Sequence, residues 1–143
     1  MSAARPGAQL KAVLDTNVYV SAFHSMRGAP FELWRSAIRR KYLLLVSPAI
    51  IGELASVLRA DLAWPEEEIV AQLKLVVRVA SMVQPTFTLE VIARDRDDDR
   101  ILECAVAGKA DLIVSGDRHL TRLKTFQSIA IVRPADFLRM MQH

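Results

Sequence analysis

Four acidic residues stand where the surrounding sequence does not obviously call for them: Asp15, Glu53, Asp99 and Asp117. Asp15 closes the apolar run Ala12-Val13-Leu14, short enough for a strand covered on both faces. Glu53 has Ile50 three residues before it and Val57 four after, so it shares a helix face with apolar company. Asp99 falls in the first turn of a helix, four residues before Glu103, where two like charges sit side by side. Asp117 follows Leu112-Ile113-Val114 across Ser115-Gly116. A carboxylate in apolar surroundings is costly to ionise unless a cation or a donor meets it. A hard divalent ion, Mg²⁺ or Mn²⁺, is the most economical single explanation. Such ions take carboxylate oxygens and keep waters for a phosphate substrate.

Each acid also has a plainer role open to it. Asp117 can cap the helix it precedes, and Asp97, Asp98 and Asp99 can serve a helix dipole. Glu53 can pair with a buried arginine, and Asp15 can be an Asx-turn residue. Which of Asp97, Asp98 and Asp99 points inward is open, and the register of Ile101-Leu102 favours Asp99. Other chemistries find less support. His24, His119 and His143 have no zinc-ligand spacing with each other or with Cys104, which reads as a small core residue. There is no glycine-rich phosphate loop and no Gly-x-Ser-x-Gly elbow. Trp34 and Trp64 read as core or rim residues.

The elements that must position these acids alternate between strand and helix. Strands are expected at 12–14, 42–46, 81–84, 112–114 and 129–132. A helix is expected from Asn17 to about Met26, with Gly28 and Pro30 as punctuation. Ser47-Pro48 opens another, Ser as cap and Pro at the first position. Pro65 is expected at the first position of a third, with Glu66, Glu67 and Glu68 against its dipole. Residues 86–94 are ambiguous, a helix runs from the aspartate cluster to near Gly108, and Pro134 begins the last one. Such alternation predicts an α/β fold with a parallel sheet, whose ligands gather beyond the carboxyl ends of the strands.

At 143 residues and 52% apolar, the chain fits one domain, residues 11–143, behind a loose tail at 1–10. No apolar run is long enough for a membrane span, and one cysteine suits a cytoplasmic protein. A net charge of +3 is weak evidence for a polyanionic partner, but Arg94-Asp-Arg-Asp97-Asp98-Asp99-Arg100 mixes cation-binding acids with bases that would welcome phosphates.

Four blocks now occur in order: Val13-Leu-Asp15-Thr-Asn17-Val, Ser47-Pro-Ala-Ile-Ile-Gly-Glu53-Leu, Asp95-x-Asp-Asp-Asp99-Arg-Ile-Leu and Val114-Ser-Gly-Asp117-Arg-His-Leu. Together they resemble the PIN-domain ribonucleases, and among these the toxins of bacterial toxin–antitoxin pairs, from about Lys11 to Met141. The resemblance implies metal-binding acids at Asp15, Glu53, Asp99 and Asp117, with Thr16, Asn17 and Ser115 as small polar supporters. It implies a three-layer α/β/α sandwich around a mostly parallel sheet of about five strands. It also implies a homodimer and a small antitoxin protein seated in the active-site groove. The activity expected is Mg²⁺- or Mn²⁺-dependent cleavage of single-stranded RNA. Arg96, Arg100, Arg118 and Arg122 are the nearest bases in sequence to hold the RNA backbone.

Two rivals rank lower. Leu14-Asp15-Thr16-Asn17 resembles the nucleophile motif of haloacid-dehalogenase-type phosphohydrolases, but Asn17 cannot protonate a leaving group. Arg133-Pro134 faintly resembles the last-strand Lys-Pro of receiver-like, Mg²⁺-binding signalling modules, but those keep a pair of acids at the first strand.

Overall fold

Strand β1 (Lys11–Leu14) lies inside the sheet because it pairs in parallel on both sides, with β2 (Leu43–Val46) and with β4 (Leu112–Val114). Its Ala12 and Val13 are wholly buried, as an apolar run with no polar alternation requires. The computed structural model describes residues 9–92 and 96–142, the side chains of 96 and 97 excepted. Most of the expected tail, residues 1–8, lies outside that range.

From β1 the chain enters α1 (Thr16–Ser25) and α2 (Gly28–Ile38), then β2. Gly28 and Pro30, expected as punctuation between elements, form the first turn of α2. Proline is tolerated there because a first-turn N–H has no helical partner to lose. After β2, Ser47 caps α3 (Pro48–Ser56), its hydroxyl accepting from the Ile50 amide at 3.3 Å. A π-helical turn, Val57–Asp61, extends α3 before α4 (Glu66–Val79). Pro65 is the N-cap of α4, one position earlier than expected, and three glutamates fill the first turn. The chain then passes β3 (Ser81–Met82), α5 (Arg96–Ala107), β4, α6 (Arg118–Thr121), β5 (Thr125–Phe126), β6 (Ile129–Val132) and α7 (Pro134–Met141).

The six strands lie in the order β3-β2-β1-β4-β6-β5. The five expected strands form the parallel part, and β5 adds an antiparallel hairpin to β6. Helices flank this sheet: α2 packs on both α1 and α7, and α3 packs on α1, α4 and α5. Trp34 is buried and stacks edge-on against Phe23 at 5.3 Å, as a core residue should. Among the described residues no helix is long and apolar enough to cross a membrane.

One close contact fixes α5 against the sheet. A Cβ on Gly108 would lie 2.8 Å from Leu45 Cδ1, 3.0 Å from Val83 Cγ2 and 3.1 Å from the Cys104 carbonyl oxygen. The left-handed residue at this helix end is Lys109, with φ 54°, so Gly108 serves for close approach rather than backbone freedom. Gly108→Ala is therefore expected to destabilise by about 1–3 kcal/mol through overpacking. Thermal or urea denaturation checks this; an unchanged midpoint would mean that Leu45 and Val83 give way freely.

Candidate active site

The chain leaves β1 to one side of the sheet and β4 to the other, so the carboxyl ends of β1 and β4 bound the crevice where α/β proteins bind ligands. The ladder runs past both strands: the Asp15 amide donates to Val114 O at 2.9 Å and the Ser115 amide to Val132 O at 2.9 Å. Asp15 and Ser115 are thus held by the sheet itself. Asp15 caps α1 by accepting from the Asn17 amide at 3.4 Å. Asp117 caps α6 by accepting from the His119 amide at 2.7 Å. The Ser115 hydroxyl ties the two acids together, donating to Asp15 Oδ2 at 2.7 Å and accepting from the Asp117 amide at 2.9 Å.

The third acid comes from α5. Asp15, Asp98 and Asp117 each offer a carboxylate oxygen, and these three oxygens lie within 4.8 Å of one another. Helix α5 therefore begins at the carboxyl edge of the sheet. Asp15 and Asp98 are each only 4% exposed. Burial raises the Asp15 pKa, the Ser115 hydroxyl and the Asn17 amide oppose the rise, the Asp117 charge adds to it, and the Thr16 amide opposes it again. Three carboxylate oxygens of like charge, two of them on buried acids, fit a hard divalent cation.

Asp98 stands where the sequence pointed to Asp99. Asp99 turns the other way, its Oδ1 accepting from the amides of Val91 at 3.0 Å and Ile92 at 2.8 Å. Glu103 accepts from the Leu89 amide at 2.7 Å and pairs with Arg100 at 2.7 Å, while Arg100 also donates to Leu89 O at 3.0 Å. The repulsion expected between Asp99 and Glu103 is thus relieved by amides and an arginine, and both carboxylates strap residues 89–92 onto α5. A signal for this was present: Asp98, Leu102 and Ala105 share one helical stripe, whereas Asp99 shares its stripe with Glu103.

The other expected residues divide. Thr16 is buried at the start of α1, and Asn17 is exposed beside the acids. Glu53 is half-buried on α3, and its carboxylate is not one of the three that meet. Arg100 is engaged internally rather than presented to a ligand. Arg118 and Arg122 are exposed, and the side chains of Arg96 and Asp97 lie outside the described residues. A cleft of about 360 Å³ opens beside Asp117, lined by Asn17, Val18 and Ser21 of α1, Pro30 of α2 and Pro134 of α7.

Known proteins resemble this chain in sequence or fold. An uncharacterized protein of Methanocaldococcus jannaschii, MJ1680, is 31% identical over 121 residues, covering 81% of this chain and 76% of that protein. VapBC2 from Rickettsia felis, solved bound to a DNA fragment from their promoter, superposes with a TM-score of 0.62 at 16% identity, over 87% of this chain and 98% of that one. PAE2754 from Pyrobaculum aerophilum gives 0.60 at 18% identity, over 95% and 92%. These two structures share the fold. The model of the PIN domain matches residues 11–119, which include the three clustered acids, and the chain belongs to the PIN-domain family of nucleases.

Proposed function

We propose that the protein is a Mg²⁺- or Mn²⁺-dependent endoribonuclease for single-stranded RNA and the toxin of a toxin–antitoxin pair. The observation that carries this reading is the meeting of Asp15, Asp98 and Asp117 at the sheet's switch point. These three hold the cation, and Glu53, on a helix packed against both α1 and α5, serves as a fourth acid for it or its waters. A bound divalent ion lowers the pKa of a water and offsets charge on a phosphodiester. The protein's own part is to aim the carboxylates, through Ser115 and the two helix caps, and to keep Asp15 dry. Arg118 and Arg122, exposed on and just after α6, hold the RNA backbone without reading bases. The likeness to VapBC2 supports a small antitoxin protein as partner, and the reading places the protein in the cytoplasm.

The homodimer has a candidate face on α4. Val70 and Val77 are 43% and 46% exposed and share a shallow apolar groove with Leu73, Lys74 and Arg78. Glu67 lies toward one end of this stripe and Arg78 at the other, so an antiparallel crossing of two copies sets Glu67 near the partner subunit's Arg78.

Three outcomes are expected. Labelled single-stranded RNA should be cleaved with Mg²⁺ or Mn²⁺ and left intact in EDTA; undiminished cleavage in EDTA would sink the metal mechanism.

The second concerns the acids one by one. Saturation at a hundred times Kd should stabilise the protein by about 2.7 kcal/mol. Asp15→Asn and Asp98→Asn should each remove most of that shift. Asp15 has a folded pKa above its unfolded value of 3.8, so ionising it costs stability as pH rises past that value. At neutral pH, metal-free Asp15→Asn should therefore melt no lower than wild type. Asp99→Ala should keep the metal shift but lose about 1–3 kcal/mol, because two amides lose their acceptor. A metal shift lost in Asp99→Ala and kept in Asp98→Asn would reverse the assignment.

Third, light scattering should show a dimer for wild type, monomers for Glu67→Arg and for Arg78→Glu, and a dimer again for the double variant. Single variants that stay dimeric would place the interface elsewhere.

A further inference from the structure

The cleft beside Asp117 has a chemistry unlike that of the acid cluster it adjoins. Asn17 and Ser21 stand one turn apart on α1, so an amide and a hydroxyl share one wall. Val18, Pro30 and Pro134 make the rest of the lining largely apolar, and Asp117 is the only charge among the described lining residues. Among these described residues a phosphate would find no cation and one repelling carboxylate. A flat, uncharged group with donors and acceptors along its edge would find what it needs. The volume, about 360 Å³, lies at the lower end of small-ligand sites, which span roughly 300–1,000 Å³. Bases in a single strand are free to be splayed out of the stack, with their pairing edges open to side chains.

We propose that this cleft takes the base of the nucleotide adjoining the scissile phosphate. Asn17 and Ser21 meet its edge, and the rings of Pro30 and Pro134 lie against its faces. The proposal rests on the nuclease reading for the presence of a phosphodiester at the acids. It adds a base preference that the exposed arginines cannot supply. Ser21 is the residue to alter, since it lines the cleft and is not one of the three clustered acids.

The test titrates the four nucleoside 5′-monophosphates and ribose 5-phosphate against the Mn²⁺-loaded protein by calorimetry. Wild type should bind at least one nucleotide about tenfold tighter than ribose 5-phosphate. Ser21→Phe, which fills the cleft, should bring that nucleotide to within about twofold of ribose 5-phosphate, with the Mn²⁺-dependent rise in melting temperature retained. Ser21→Val, which removes only the hydroxyl, should give a smaller loss and serves if the phenylalanine variant does not fold. Nucleotides bound no better than ribose 5-phosphate, or a preference that survives both substitutions, would overturn the proposal. Base-selective binding without any RNA cleavage would overturn the nuclease reading and leave the cleft a nucleobase site, so the two failures are distinguishable.

Discussion

Parallel pairing of β1 with β4 forces together two carboxylates that repel each other. The same pairing sets where they meet, because the sheet's hydrogen bonds continue through the amides of Asp15 and Ser115. Any one such bond contributes only about 1 kcal/mol net. Their effect is geometric: the acids ride on backbone that cannot move without breaking the central ladder. Ser115 then converts repulsion into order, since its hydroxyl donates to one acid and accepts from the amide of the other. A buried carboxylate with a raised pKa is a liability on its own, and the same liability favours a cation beside it.

The acidic run at the start of α5 shows a division of labour between neighbours. Asp98 and Asp99 are both buried and differ by a hundred degrees around the helix. One joins Asp15 and Asp117, while the other accepts two amides and closes a loop onto its own helix. With Arg100 and Glu103 sharing that second task, clustered charge and structural charge stand side by side on neighbouring residues.

Much of this was legible in the residues. The apolar runs at 12–14, 112–114 and 129–132 are strands, and Ser47-Pro48 opens its helix as capping chemistry requires. Asp15 and Asp117 were visible because each follows such a run. Asp99 misled because Ile101-Leu102 admits two registers, and the amides of Val91 and Ile92 that claim its carboxylate are absent from any local pattern. Pro65 misled by one position because a proline fits the N-cap as well as the first turn. The β5–β6 hairpin was hidden for a different reason. Its turn residues, Gln127 and Ser128, both have positive φ, 49° and 69°, without the Asn-Gly signature that usually marks such a turn. The edge pairing sustains that backbone here, not a local preference.

The sheet also stops in an orderly way at both ends. Its outermost strands, Ser81–Met82 and Thr125–Phe126, are two residues each, and the latter runs against the direction of the others. An open parallel sheet otherwise presents a long row of unpaired backbone groups on which another chain can add a strand. Two short borders leave little template for such addition. A strand added at either border would find only two residues of the sheet to pair with, so the length of these borders itself opposes growth of the sheet from chain to chain.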